Sequence, residues 1–194
     1  LTACASAPVR STHRDAIAGV YQRDEELAAI GALPDIAAVA WHDCEDQPSP
    51  WECGDIEVPL DYRRPSSGGT LQIAVTRLPT TSPDRIGSLV LNPGGPGGSG
   101  IDLAWNDATV FPMALLDRFD LVGFDPRGVG RSTAVDCDAD PHEYQVRIAD
   151  CVRLSGDLLP YVGTLNAARD LEQLRKALGD DRLTYIGFSY GTAL

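Results

Sequence analysis

The alternation of apolar and polar residues predicts a β-hairpin in the first half of the chain. Residues 56–62 and 71–78 each alternate in the way that half-buried strands do, and the segment between them is rich in Pro, Ser and Gly. Because Pro59 cannot donate a main-chain hydrogen bond, the first of these strands is expected at a sheet edge.

Later segments predict strands that alternate with helices. Short apolar runs, of the kind found in buried parallel strands, are each followed by a loop rich in Gly or Pro. These runs span residues 88–91, 119–124 and 183–187. Apolar residues at helical spacing predict helices at 101–118 and 165–178, whereas 129–163 is predicted to be irregular. The order of elements predicts an α/β fold with a mostly parallel sheet and helices on both faces.

The first 40 residues differ from the rest of the chain. Their apolar residues lie near helical spacing, but Gly19, Gly31 and Pro34 interrupt the pattern, which favours a tether with some helix. The sequence therefore predicts a tether over 1–40 and a folded domain over 41–194.

Composition narrows the classes of partner. The chain has 194 residues, of which 16 are basic and 28 acidic, and its formal net charge is −12. This charge repels nucleic acid and anionic lipid, so neither is expected as the main partner. No apolar run approaches the roughly 20 residues that a membrane-spanning helix needs.

The start of the chain is similar to the end of a bacterial lipoprotein signal. Leu1, Thr2 and Ala3 precede Cys4, and in such signals a cysteine after small residues becomes the lipidated N-terminus. The alternative is a free cysteine near a frayed terminus. Because one acyl chain binds a membrane only marginally, a lipid anchor at Cys4 would need several acyl chains to hold the protein at the cell envelope.

Five cysteines are present, and four remain if Cys4 carries lipid. Four cysteines allow three pairings, of which the local pairs Cys44–Cys53 and Cys137–Cys151 are the simplest. Disulfides persist outside the reducing cytosol, so this pairing predicts a secreted or envelope location. Reduced, buried thiols are the alternative.

Residues Gly187-Phe188-Ser189-Tyr190-Gly191 match the G-x-S-x-G motif. The motif follows a predicted strand, at the point where a sharp turn into a helix is expected. Such a turn strains the backbone at the serine, and glycine two positions to either side removes the resulting clashes. The motif predicts Ser189 as a nucleophile held between Gly187 and Gly191. The alternative is a serine in an ordinary glycine turn.

A glycine-rich loop follows the first of the buried strands. A phosphate-binding loop is disfavoured, because no Lys-Ser or Lys-Thr pair completes it and Pro93 and Pro96 remove two amide donors. The loop instead predicts an oxyanion hole, which needs fixed donors for the negative oxygen formed in acyl transfer. The main-chain N–H of Tyr190 is one candidate donor, and that of Gly94 or Gly95 is the other. The sequence does not choose between these two, and a flexible surface turn is the alternative.

Asp125 and Arg127 follow the strand at 119–124. In folds with this serine motif the catalytic acid follows the serine in the chain, which argues against a catalytic role for Asp125. The two residues are expected to form a structural ion pair or to organise the loop.

Several segments form a characteristic combination: N-P-G-G-P-G at 92–97, F-D-P-R-G-V-G-R-S at 124–132, Y-I-G-F-S-Y-G-T at 185–192, and the residues at 41–44, 53–54 and 58–62. Together they resemble the α/β-hydrolase peptidases related to proline iminopeptidase, and within that family the actinobacterial tripeptidyl-aminopeptidase group. Proline iminopeptidases have a histidine where this chain has Pro93, which favours the tripeptidyl group.

The resemblance implies an α/β-hydrolase fold and a secreted or envelope-bound serine exopeptidase that releases short peptides from free N-termini without a cofactor. It also implies a histidine base and an acid after the nucleophile. His13, His42 and His142 all precede Ser189 and match no family motif. The chain is therefore expected to be truncated after the serine turn, to lack a cap domain, and to be inactive alone. No metal site is expected, since C-x-x-C is missing and His42 is a lone candidate ligand.

Two alternatives remain open. An esterase or lipase can use the same fold, because the chemistry of this scaffold depends on the cap and the pocket. A non-catalytic, truncated envelope lipoprotein would end near Leu194, although the intact Gly187, Ser189 and Gly191 speak against such decay.

Overall fold

The computed structural model describes residues 33–137 and 148–194. The described residues from Pro34 onward belong to one compact unit. Its first residues pack into the core, since Val39 is buried and its N–H donates to the carbonyl oxygen of Ala177 at 3.3 Å. Residues 34–40, which the sequence analysis assigned to the tether, are therefore part of the folded unit.

Six strands form one mixed sheet in the order β1-β2-β3-β5-β4-β6. The strands are β1 (His42–Asp43), β2 (Glu52–Pro59), β3 (Thr70–Leu78), β4 (Gly87–Asn92), β5 (Phe119–Phe124) and β6 (Thr184–Gly187). Strand β4 pairs parallel with β5 and β6, and the other ladders are antiparallel. The α/β class is confirmed. Within the described residues the sheet is mixed rather than mostly parallel, because the β2–β3 hairpin joins β5 in antiparallel orientation.

The predicted hairpin is present, but its first strand is displaced toward the N-terminus. Glu52 pairs with Arg77 and Pro59 pairs with Thr70. The strand ends at Pro59 because the Asp61 carboxylate accepts the main-chain N–H of Arg63 at 3.0 Å and starts a turn.

Four α-helices occur among the described residues: α1 (Gly100–Asp107), α2 (Met113–Leu116), α3 (Ile148–Ser155) and α4 (Thr164–Ala177). The single helix predicted over 101–118 is wrong, because Pro112 holds Phe111 in an extended conformation and separates α1 from α2. Helix α3 lies in the segment that was predicted to be irregular. It is 8 residues long, and its apolar residues Ile148 and Val152, which lie one turn apart, are exposed and not packed in the core.

Helices pack on both faces of the sheet. Successive residues of a strand point to opposite faces. Val90 of β4 packs in one cluster with Leu174 of α4, whereas Leu89 and Leu91 pack in the other with Ala104 of α1. The carboxyl ends of the parallel strands β4, β5 and β6 therefore lie together at one end of the sheet, between these two layers.

Two disulfides join the cysteines in local pairs. Cys44 is bonded to Cys53 in β2, and Cys137 is bonded to Cys151 in α3. The first bond is packed in the core that includes α1, where the sulfurs of Cys44 and Cys53 lie 3.7 and 3.8 Å from the Thr76 hydroxyl. Each disulfide ties an irregular segment to a regular element.

Candidate active site

The chain turns sharply at Ser189, just after the carboxyl end of β6. Ser189 has a φ of 51°, and no other non-glycine residue has a positive φ in the part of the chain that the structure describes. Such a conformation costs on the order of 1–3 kcal/mol and persists only where surrounding contacts impose it. A 3₁₀-helix, Ser189–Thr192, follows directly. The serine therefore lies in a strained strand-to-helix turn.

Glycine is needed on both sides of Ser189 because the main chain folds back on itself. A Cβ at Gly187 would lie 2.2 Å from the carbonyl oxygen of Gly191, and a Cβ at Gly191 would lie 2.9 Å from the carbonyl oxygen of Asn92. Neither approach is tolerable for a side-chain carbon. These contacts give the G-x-S-x-G pattern a steric cause in this structure.

Two tyrosine hydroxyls hold the turn. The Tyr185 hydroxyl donates to the carbonyl oxygen of Gly191 at 3.0 Å. Burial, with a smaller contribution from Tyr190, raises the pKa of Tyr185 to about 12, so this hydroxyl remains a donor at neutral pH. The Tyr190 hydroxyl lies 2.8 Å from that of Thr164, at the start of α4. The sequence assigns neither hydroxyl a role, although Tyr190 lies within the motif and Tyr185 lies two positions before it.

The glycine-rich loop after β4 lies against this turn. Gly94 and Gly95 have φ values of 85° and 113°, which glycine adopts without strain. A Cβ at Gly94 would lie 2.2 Å from the carbonyl oxygen of Phe188 and 2.9 Å from the amide nitrogen of Tyr190. The loop and the residues on either side of Ser189 are therefore in main-chain contact.

The main-chain N–H groups of the loop are not equivalent. The N–H of Gly94 donates to Asn92 Oδ1 at 2.7 Å, whereas that of Gly95 has no acceptor within residues 33–137 and 148–194. The N–H of Tyr190 belongs to the first turn of a 3₁₀-helix, where such groups have no intrahelical partner. Of the two glycines that the sequence left open, the geometry favours Gly95 as a donor.

Asp125 fixes the end of the glycine-rich loop. Its Oδ1 accepts the Ser99 hydroxyl at 2.5 Å and the Ile101 N–H at 3.3 Å, and its Oδ2 accepts the Arg131 N–H at 2.8 Å. Ser99 is also the N-cap of α1. The predicted loop-organising role matches these contacts, whereas the predicted ion pair with Arg127 is wrong.

The Arg127 guanidinium pairs instead with Asp170 of α4. Two hydrogen bonds of 2.6 Å join the groups, and the side chains are 0% and 1% exposed. The Tyr62 hydroxyl donates to Asp170 Oδ1 at 2.7 Å, and burial together with the neighbouring Asp170 carboxylate raises the pKa of Tyr62. The remaining guanidinium N–H groups donate to main-chain carbonyl oxygens, those of Pro59, Leu60 and Tyr161. This cluster connects the β2 turn, the loop after β5 and α4.

His42, the one histidine among the residues that the structure describes, lies far from Ser189. His42 is exposed in β1, and Ser189 follows β6 at the opposite edge of the sheet. Five strand spacings of about 4.8 Å separate the two edges by roughly 24 Å. His42 therefore cannot accept the Ser189 proton. His13 and His142 lie outside the described residues.

An apolar pocket of about 390 Å³ opens beside the turn. Phe188 and Pro93, which precede Ser189 and Gly94 in the chain, contribute to its wall, and one carboxylate, that of Asp107, lies among its lining residues. The other lining residues belong to α1 and the segment after it, namely Leu103, Val110 and Phe111. An apolar group of a bound molecule would fit here.

Cys4 lies outside the described residues, so its lipidation stays a prediction. Across 33–137 and 148–194, no helix has both the length and the apolar character needed to cross a bilayer. In the same ranges, no group of three or more His, Cys, Asp or Glu side chains could hold a metal ion.

One family model matches the second half of the chain. A family model described as the alpha/beta hydrolase fold covers residues 87–194, which include both the glycine-rich loop and the serine turn.

Comparison with curated proteins adds three relatives. The chain is 43% identical over 166 residues to the serine protease Hip1 of Mycobacterium tuberculosis, covering 73% of this chain and 32% of that protein. It is 37% identical over 206 residues to the tripeptidyl aminopeptidase of Streptomyces lividans, covering 90% of this chain and 38% of that protein. It is 38% identical over 151 residues to carboxylesterase B of Mycobacterium tuberculosis, covering 64% of this chain and 28% of that protein. The chain thus spans about a third of the length of the relatives it matches.

Proposed function

The chain belongs to the alpha/beta hydrolase fold family, and on that premise we propose that it carries the nucleophile and the oxyanion hole of a serine exopeptidase. The observation that supports this most strongly is the strained φ of 51° at Ser189, directly after β6 and between two glycines that cannot carry a Cβ. A turn of this kind exposes a serine hydroxyl at the carboxyl end of a parallel strand. Strain of this kind is characteristic of functional sites.

In the proposed mechanism, Ser189 Oγ attacks the carbonyl carbon of the scissile peptide bond while a base takes its proton. The carbonyl oxygen becomes an oxyanion, and the N–H groups of Tyr190 and Gly95 donate to it. The base then protonates the leaving amine, and water hydrolyses the acyl-enzyme. Fixed donors of this kind are each worth about 3–4 kcal/mol in the transition state.

The base and the acid are not provided by the described residues around Ser189. In this family both follow the serine in the chain, and the residues from Tyr190 to Leu194 include no histidine or carboxylate. His42 lies at the far edge of the sheet. The proposal therefore concerns the complete native polypeptide in which this sequence occurs.

We propose peptides with free N-termini as the substrates. The similarity to a tripeptidyl aminopeptidase over 90% of this chain supports this class, and so does the similarity to a serine protease. The apolar pocket beside Phe188 would accept an apolar side chain of such a peptide.

An esterase is the second candidate. The same apolar pocket would accept the acyl or alcohol part of an ester, and carboxylesterase B is among the relatives. A free N-terminus would then have no effect on turnover, which separates this candidate from the first.

We further propose an extracytoplasmic location. The two disulfides support it, because such bonds persist outside the reducing cytosol. A lipid anchor at Cys4 would add attachment to the outer face of the plasma membrane, and mass spectrometry of the native N-terminal peptide would detect it.

The test of the serine is covalent labelling of the complete native polypeptide with a fluorophosphonate probe. Wild type is expected to be labelled, Ser189→Ala unlabelled, and the control Ser67→Ala, at an exposed turn position, labelled like wild type. Labelling that persists in Ser189→Ala would remove the serine from its proposed role. No labelling of folded wild type would instead favour a non-catalytic lipoprotein.

A substrate comparison tests the exopeptidase assignment. A tripeptide anilide with a free N-terminus should be cleaved, and its N-acetylated form should be cleaved at least about 10-fold more slowly. Equal cleavage of both forms would contradict the exopeptidase assignment, and turnover of short esters alone would favour the esterase.

A further inference from the structure

We infer that Asn92 is a positioning residue that decides which main-chain N–H of the glycine-rich loop is available to the oxyanion. This inference rests on the proposed function and adds to it a side chain that touches no substrate. Its basis is a pair of hydrogen bonds through which Asn92 contacts both halves of the site, the loop and the serine turn.

Asn92 is the last residue of β4, where it pairs with Gly187 of β6. Its side-chain Oδ1 accepts the N–H of Gly94 at 2.7 Å, and its main-chain carbonyl oxygen accepts the N–H of Phe188 at 3.0 Å. A Cβ at Gly191 would lie 3.2 Å from Asn92 Oδ1. One residue therefore fixes the first glycine of the loop relative to the residue before the nucleophile.

The side-chain bond selects the donor. Because the Gly94 N–H is directed at Asn92 Oδ1, it is not available to a substrate oxygen. Gly94 itself has little room to move, since its hypothetical Cβ lies 2.2 Å from the carbonyl oxygen of Phe188. The N–H of Gly95 is then the next donor along the loop, and it has no acceptor in the described ranges.

The side-chain amide of Asn92 is buried and only partly hydrogen-bonded, so stability alone does not explain an asparagine at this position. Asn92 is 1% exposed, and its Nδ2 has no hydrogen-bond partner among the described residues. A buried polar atom without a partner destabilises a fold, whereas leucine has nearly the same shape and no such atom. An aspartate would also accept from Gly94, but its negative charge would oppose the oxyanion that forms nearby. Asparagine is the neutral acceptor that fits the position.

The test uses Asn92→Leu in the complete native polypeptide, with Asn106→Leu at an exposed position of α1 as the matched control. Asn92→Leu is expected to lower kcat for the free tripeptide anilide by about 10- to 100-fold, the effect of a displaced oxyanion donor, with KM within about 2-fold. Its melting temperature should stay within a few degrees of wild type. Asn106→Leu should leave all three quantities unchanged. A purely structural Asn92 would instead show a lower melting temperature with an unchanged kcat, which would overturn the inference.

Hydrogen exchange provides a readout that does not depend on activity. The amide hydrogen of Gly94 should be protected in wild type and in Asn92→Asp, which keeps the acceptor, and should exchange faster in Asn92→Leu. Equal exchange of Gly94 in wild type and Asn92→Leu would overturn the inference even if the enzyme is active. An inactive wild type with the expected exchange pattern would contradict the proposed function but leave the Asn92–Gly94 contact established.

Discussion

Arg127 and Asp170 are held together by two hydrogen bonds of 2.6 Å at a position where neither side chain is more than 1% exposed. Arg127 lies in the loop after β5, and Asp170 lies in α4, the helix that precedes β6 and the serine turn. The pair therefore connects the carboxyl end of one central strand to the helix that leads into β6 and the serine turn. Its location indicates a structural role, which is to hold the β2 turn, the loop after β5 and α4 together.

Asp170→Asn should destabilise the protein strongly, because it leaves the Arg127 charge buried without its partner. The expected loss is about 3–5 kcal/mol in the free energy of unfolding, measured by urea denaturation. Glu172→Gln is the matched control on the same helix, since it breaks the partly exposed pair with Arg175. That change should cost no more than about 1 kcal/mol. Similar losses in both variants would show that Arg127 is not buried as described.

Gly187→Ala should abolish fluorophosphonate labelling of Ser189. The added Cβ would lie 2.2 Å from the carbonyl oxygen of Gly191, so the turn must open and Ser189 must move. The control is Gly163→Ala, at the N-cap of α4, where a Cβ would meet nothing within 4 Å. This control should keep full labelling and lose less than about 1 kcal/mol of stability. Normal labelling of a folded Gly187→Ala variant would contradict the described turn.

The sequence predicted strands β3 to β6 and the sharp turn at Ser189 because their signals are local. The apolar runs before the glycine-rich loop and before G-x-S-x-G correspond to β4 and β6. Glycine at 187 and 191 follows from the geometry of one turn, which a five-residue pattern can encode. The same is true of the end of α4, which is followed two residues after Ala177 by Gly179 with a φ of 76°.

The features that the sequence did not provide depend on contacts between distant segments. Arg127 was expected to pair with Asp125, its neighbour, but it pairs with a residue 43 positions away. The sequence gives Asn92 no role, because its two contacts reach Gly94 and Phe188, which lie in different loops. Its one sequence signal is a polar residue directly after the apolar run Leu89-Val90-Leu91. Whether the N–H of Gly94 or that of Gly95 is available as a donor depends on that same side chain. The sequence of the loop alone therefore could not predict it.

Reduction of the two disulfides should lower the melting temperature. Cross-links that close loops of this size stabilise a fold by about 2–4 kcal/mol each, chiefly by restricting the unfolded chain. Cys137→Ala with Cys151→Ala isolates the bond to α3, and Cys44→Ala with Cys53→Ala isolates the buried bond beside Thr76. The buried pair should cost more, because its removal also leaves a cavity in the core around α1. An unchanged melting temperature under reducing conditions would show that the native protein does not contain these bonds.

The stability contributed by Asp61 should depend on pH at the acidic end of the range. Hydrogen bonds from Arg63, and to a lesser extent the one from Arg64, lower the pKa of Asp61 to about 2, below its usual value near 3.8. A carboxyl group whose pKa is lower in the folded state stabilises the fold above its unfolded pKa, and this contribution is lost as the pH falls through the folded pKa. Asp61→Asn should therefore be less stable than wild type by a constant amount above about pH 5, and the difference should shrink as the pH falls from 4 toward 2.

Salt provides the second variable for the same variant. The Arg63 and Arg64 side chains are 76% and 64% exposed, so the part of the Asp61 effect that comes from their charges should weaken at 1 M NaCl, where the Debye length is about 3 Å. The hydrogen bond from the Arg63 main-chain N–H at 3.0 Å should persist, because it starts the turn after β2.

Asp55→Asn, at an exposed position of β2, removes a carboxylate without disturbing that turn and is the control. Urea denaturation of both variants at pH 2, 4 and 7 should show the pH-dependent difference in Asp61→Asn alone; the same profile in Asp55→Asn would assign the effect to net charge rather than to the turn.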